Sequence, residues 1–132
     1  MWKKIVHVQS SLLRKDNQYS LFIGRWQPFH KGHHSMFEQV LLKGGRVLIA
    51  IRDVVPDEKN PFTPSQVSDM ISAKYKKEIT EGKVKIIIIP DIGSVEFGRG
   101  VGYDIIEHVP PRDIALISAT GIREQLKKEG RL

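Results

Sequence analysis

The chain has no cysteine. Disulfides and thiolate-ligated metal centres are therefore excluded. It also lacks a long hydrophobic run. The most apolar stretch, residues 84–89, is interrupted by Lys85 and falls far short of the ~20 residues a membrane helix needs. The opening residues, MWKKI, have neither the apolar segment nor the small-residue cleavage site of a secretory signal. A soluble, reducing, cytoplasmic setting is expected. Repeats, low-complexity tracts and Pro- or Ser-rich linkers are missing too, and 132 residues suit one domain that buries a core without staples.

Acidic residues are in deficit: 15 stand against 21 lysines and arginines, a net charge of +6. A cationic surface attracts polyanions. The basic residues are dispersed rather than gathered in one patch, so nucleic acid is not the expected partner. Nucleotides and phosphorylated small molecules are polyanions as well.

Residues 1–18 are the least patterned part and read as an N-terminal arm or extra strand, with Ile5, Val6 and Val8 in a short strand and a turn at residues 15–18. From Tyr19 the pattern sharpens into the main domain, residues 19–132. Residues 19–24 are a short apolar run closed by Gly24, the mark of a buried strand. Met36, Phe37, Val40 and Leu41 recur at helical spacing, predicting a helix over 33–42 that Gly44 and Gly45 end. Residues 46–51 make a second strand. Thr63, Pro64 and Gln66 form an N-cap, a first-turn proline and the far end of a capping box. The helix they start continues through Val67, Met70, Ile71, Tyr75 and Ile79 and stops at Gly82. Residues 84–89 are a third, β-branched strand. This βαβαβ order predicts a single α/β domain with a Rossmann-like, doubly wound parallel sheet. A short helix or strand over 103–109, a brief strand over 114–117 and a last helix over 121–129 complete the reading.

In such sheets ligands bind beyond the carboxyl ends of the strands. Two strings occupy those positions: GRWQPFHKGH at residues 24–33 and ISATGIR at residues 117–123. In the first, His30, Lys31 and His33 gather where a helix begins. That end carries positive partial charge, so cations there are unfavourable unless an anion joins them. Gly32 permits close backbone approach. The two histidines, three apart, can donate to phosphate oxygens or ligate a metal. The string contains no carboxylate, so no metal site built from protein side chains is expected. As ordinary helix-start residues the histidines would need no ligand, a reading the full ten-residue string argues against. In the second string Arg123 again sits in a first helical turn, with the hydroxyls of Ser118 and Thr120 beside it. A plain helix cap with a solvated arginine is the alternative there.

Together the strings resemble the nucleotidyltransferase superfamily, its cytidylyltransferase-like α/β group, which carries a GxFxPxHxGH-type motif after the first strand and ISxTxIR before the last helix. Trp26 stands where Phe is usual and Ala119 where Gly is usual. The resemblance implies a parallel sheet of order 3-2-1-4-5 and transfer of a nucleoside monophosphate, AMP favoured, from a nucleoside triphosphate to a phosphate-bearing small molecule, with loss of pyrophosphate. His30 and His33 would act on the α-phosphate. Gly24, Arg25, Trp26, Phe29, Lys31 and Gly32 would line the nucleotide site. Ser118, Thr120 and Arg123 would hold the β- and γ-phosphates, His30, His33 and Arg123 forming the catalytic set. Mg²⁺ would ride on the phosphates of ATP or CTP. Relatives of this kind often form oligomers.

The segment DEKNPFT at residues 57–63, which resembles an ENPFT string, and the string GRWQPFHKGH are more similar to nicotinamide-mononucleotide adenylyltransferases than to glycerol-phosphate cytidylyltransferases, whose RYVD-type string is missing. A CTP-dependent cytidylyltransferase, or a nucleotide-binding regulatory module without turnover, is the alternative. Class I aminoacyl-tRNA synthetases share HxGH but are longer and carry a KMSKS-type loop that this chain lacks. Arg52, Lys59 and Arg99 are candidate acceptor contacts. His7, His34 and His108 receive no role.

Overall fold

The computed structural model describes residues 3–7, 18–100 and 102–132. The proposed turn at 15–18 and Val8 lie almost entirely outside the described residues. The elements run β1 (Lys3–His7), β2 (Tyr19–Gly24), α1 (Lys31–Leu41), β3 (Arg46–Asp53), α2 (Pro64–Lys74), α3 (Lys76–Thr80), β4 (Val84–Pro90), β5 (Ile105–His108), α4 (Arg112–Ala115) and α5 (Ala119–Lys128).

Strands β2, β3 and β4 form one parallel sheet in that spatial order. Ser20 faces Val47 across the first ladder, and Val47 faces Val84 across the second. Both crossovers step in the same direction. Right-handedness then lays α1 and α2 on one face of the sheet. Burial follows that arrangement: Val47, Ile49 and Ile51 of β3 are buried together with Phe37 and Val40 of α1 and Val67 and Ile71 of α2. Truncating a side chain such as Ile49 to Ala in this core should cost about 2–5 kcal/mol. The opposite face is less covered, with Leu21 54% and Ile87 37% exposed.

Helix α2 starts as its sequence prescribes. Thr63 Oγ1 accepts the Gln66 N–H at 3.1 Å, and Gln66 Oε1 accepts the Thr63 N–H at 2.8 Å. Gly44 ends α1 in the left-handed region at φ 80°, where a side chain would be strained.

Three sequence expectations need correction. Residues 114–117 do not form a strand; α4 occupies Arg112–Ala115, its single turn closed by Ala115 N–H to Pro111 O at 2.9 Å. A four-residue apolar run has no period that separates the two states. The helix expected to run unbroken to Ile79 divides at Tyr75, which leaves helical geometry at φ −116°, ψ 31°. That break lets the Tyr75 ring sink into the core, where its hydroxyl meets His34 Nδ1 at 2.6 Å. Finally, of the implied order 3-2-1-4-5 the parallel sheet holds the 3-2-1 half. β5 pairs instead with β1, antiparallel, in a two-stranded ladder.

Candidate active site

The loop after β2 is shaped by packing around one indole. Trp26 is buried, sits at φ 53°, and donates its Nε1–H to Ala50 O of β3 at 3.2 Å. Gly24 is required beneath it: a Cβ there would lie 2.8 Å from the indole. The Trp26 ring meets His33 edge-on at 4.8 Å between centroids, and Phe29 stacks on His33 at 5.7 Å.

His30 and His33 form the capping box of α1. His30 Nδ1 accepts the Gly32 N–H at 3.0 Å, and His33 Nδ1 accepts the His30 N–H at 3.1 Å. Their rings stack at 3.6 Å. An Nδ1 that accepts is unprotonated, so each neutral ring carries its proton on Nε2. Burial lowers the pKa of both. That of His33 falls to about 3, with charge on His30 as the smaller cause. The expectation of cationic histidines at this helix start is therefore corrected. Burial favours the neutral ring at both positions, and the Nδ1 lone pairs satisfy orphan N–H groups of the first turn.

The second string lies against the first. Ser118 Oγ caps α5 by accepting the Gly121 N–H at 3.1 Å. Arg123 donates from Nη1 to Gln27 O at 2.7 Å and from Nη2 to Thr120 Oγ1 at 3.3 Å. A Cβ on Gly32 would stand 3.8 Å from the Ile117 side chain. The beginning of α5 is thus brought against the loop that starts α1, and Arg25 and Lys31 of the first string are exposed.

The weaker acceptor candidates are not drawn into this cluster. Arg52 is engaged at the end of β3, its guanidinium 2.6 Å from Asp91 Oδ1 and also donating to Ile92 O at 3.1 Å. Lys59 is exposed on a loop folded by Asp57, whose Oδ1 accepts from the backbone of Lys59 and Asn60 and from Asn60 Nδ2. Arg99 is exposed in the Gly-rich segment. A hollow of about 390 Å³ lined by Tyr19, Ser68, Ser72 and Lys85 lies at the opposite, N-terminal end of the strands and holds no motif residue.

Sequence reasoning missed two features. Gln27, buried in the loop, pairs its side-chain amide with the backbone of Phe62. His34, left without a role, bridges Tyr75 Oη and Glu38 Oε1, the latter at 2.8 Å. Glu38 at i+4 from His34 was a readable signal for part of this; nothing local marked Gln27. Among the described residues no group of three or more His, Asp or Glu side chains is placed to hold a metal ion, and no helix is long and apolar enough to cross a membrane.

Residues 21–83 match the cytidylyltransferase-like family. The chain is 31% identical over 113 residues to a nicotinamide-nucleotide adenylyltransferase of Thermococcus kodakarensis, an alignment covering 83% of this chain and 58% of that protein. A Methanococcus aeolicus protein of the same name is 31% identical over 114 residues, with 84% and 63% covered. A solved structure of a bifunctional NMN adenylyltransferase/ADP ribose pyrophosphatase from Francisella tularensis, complexed with AMP and a manganese ion, is 35% identical. It covers 57% of this chain and 23% of that one, with a TM-score of 0.48. The chain thus spans 58% of the length of the Thermococcus relative. The matched segment runs from within β2 to the residue before β4 and carries the first of the two strings, and over it the chain is similar to the cytidylyltransferase-like family.

Proposed function

We propose that the chain transfers the adenylyl group of ATP, taken as its magnesium complex, to the phosphate of a nicotinamide mononucleotide-type acceptor in the cytoplasm. The observation that carries this reading is the 2.7 Å bond from Arg123 to Gln27 O, which ties α5 to the loop that carries His30 and His33. The names of the curated relatives favour ATP over CTP.

An oxygen of the acceptor phosphate attacks the α-phosphorus in line. The new P–O bond forms as the bond to the α,β-bridging oxygen breaks, and pyrophosphate leaves with that electron pair. The attacking phosphate is already anionic, so no general base is required. Catalysis is positioning plus electrostatic stabilisation. His30 and His33 donate Nε2–H to α-phosphate oxygens, on which charge grows. As neutral donors they hold no proton that the phosphate can take. Ser118, Thr120 and Arg123, with the free N–H groups of α5, hold the β- and γ-phosphates. Gly24, Trp26, Phe29 and Gly32 line the nucleotide site, and Arg25 and Lys31 border it. The Nδ1 atoms of both histidines are committed to backbone N–H groups, so the magnesium ion enters bound to the triphosphate. Arg99 and Lys59 remain freer than Arg52 to meet the acceptor.

A pyrophosphate-release screen tests this, with ATP and CTP each paired with nicotinamide mononucleotide, nicotinate mononucleotide and glycerol 3-phosphate. Release with ATP and a pyridine mononucleotide is expected. Release only with CTP and glycerol 3-phosphate would replace the reading by cytidylyl transfer. ATP binding without release from any pair would make the chain a nucleotide-binding module.

A further inference from the structure

Gln27 is 4% exposed although it belongs to a loop. Its Nε2 donates to Phe62 O at 2.9 Å, and its Oε1 accepts the Phe62 N–H at 3.0 Å. One side-chain amide thus pairs with both polar groups of a single residue 35 positions away, as a neighbouring strand would. The backbone carbonyl of the same residue accepts Arg123 Nη1 at 2.7 Å. The side chain ties down the loop after β3, and the main chain receives α5.

The chemistry of this contact differs from an ion pair. Among the described residues the hydrogen-bond partners of the Arg123 guanidinium are neutral: the Gln27 carbonyl and the Thr120 hydroxyl. A carboxylate there would orient the guanidinium and also cancel its charge. A carbonyl orients it and leaves the charge available to an anion. The carbonyl can do so only if the loop is rigid. Trp26 anchors it on one side through Ala50 O, and the Gln27 amide anchors it through Phe62.

We propose that Gln27 is a positioning residue for phosphate binding: its buried amide clamps the loop so that its own carbonyl aims Arg123 with its charge intact. This rests on the phosphate-binding role given to Arg123 in the reading above.

The test is a double-mutant cycle on ATP affinity, measured by calorimetry with magnesium present. Gln27→Met keeps the side-chain length and removes both hydrogen bonds. It should weaken ATP binding about 5- to 10-fold in the wild-type background and less than about 2-fold in Arg123→Ala, where nothing remains to be aimed. Equal losses in both backgrounds overturn the proposal. If Gln27→Met does not fold, as judged by thermal melting, Gln27→Glu replaces it. That side chain keeps an acceptor for the Phe62 N–H and sets a second oxygen against Phe62 O. Its affinity defect should shrink as pH falls and protonation restores the donor; a pH-independent defect overturns the proposal. A wild-type chain that binds ATP without releasing pyrophosphate defeats the transferase reading alone, because the coupling is still read from affinity. Turnover with additive losses defeats the positioning role alone. A wild-type chain that does not bind ATP defeats both.

Discussion

His33 Nδ1 accepts the backbone N–H of His30 at 3.1 Å, so the imidazole begins α1 with one nitrogen and keeps its proton on the other. The two uses can be separated by substitution. Asn places an acceptor close to the position of Nδ1 and has nothing at Nε2. His33→Asn should retain stability within about 1 kcal/mol, since an Asn oxygen can serve the same N–H. Its kcat/KM for pyrophosphate release should fall about 10²- to 10³-fold, the usual loss for one transition-state donor. His33→Ala should lose as much activity and a further ~1 kcal/mol of stability. Urea denaturation beside the release assay reads both, and near-wild-type turnover by a folded His33→Asn would remove His33 from the chemistry.

Gly32 is held small by its neighbour. A Cβ there would sit 2.9 Å from His30 Cε1 and 3.0 Å from His30 Nδ1. Gly32→Ala should swing the imidazole aside, break its bond to the residue-32 N–H and slow turnover by about 10-fold or more, because displacements near 1 Å are costly in catalysis. Gly24→Ala presses instead on the buried Trp26 indole and should act mainly on stability, by about 1–3 kcal/mol. Paired melting curves and rate measurements distinguish the two variants; equal stability losses with equal rates would contradict this assignment.

Stability should depend on pH through His33. Its folded pKa, about 3, lies below the ordinary value of 6.5. Between those values the unfolded chain binds a proton that the folded chain does not. Stability is therefore fully present above about pH 6.5 and declines as pH falls toward 3. A loss of about 1 kcal/mol or more, a Tm decrease of about 4 °C or more, is expected between pH 7 and pH 5. His33→Asn should flatten that part of the Tm profile. A variant as acid-sensitive as the wild type would place the linkage elsewhere.

The Tyr75 hydroxyl, 2.6 Å from His34 Nδ1, stitches the break between α2 and α3 to α1. Tyr75→Phe should cost about 1 kcal/mol, the usual net worth of one such bond, and change the rate less than about two-fold. A large rate effect at unchanged stability would mean that this contact reaches the nucleotide loop, where Phe29 meets the Tyr75 ring.

Much of the fold was legible because local chemistry and tertiary packing agree. The β-branched runs became β3 and β4, and Thr63-Pro64-Ser65-Gln66 capped α2 as written. The histidine string announced a helix start. What the sequence hid depends on partners far along the chain. The neutrality of His33 comes from Trp26 and Phe29 closing around it, which no spacing encodes. Gln27 reaches Phe62 across 35 residues and leaves no periodic trace. Pairing of β5 with β1 joins segments about a hundred residues apart. At 114–117 the residues were too few to carry any period.

Helix α5 contributes no fully buried residue, whereas the loop bearing His30 grows out of a strand hydrogen-bonded to β3 at the centre of the parallel sheet. The two strings are therefore secured very unequally. The loop bearing His30 is held at its root by the β2–β3 ladder. Helix α5, with no buried residue, can peel away in a local fluctuation, so its amides should exchange with solvent before those of α1.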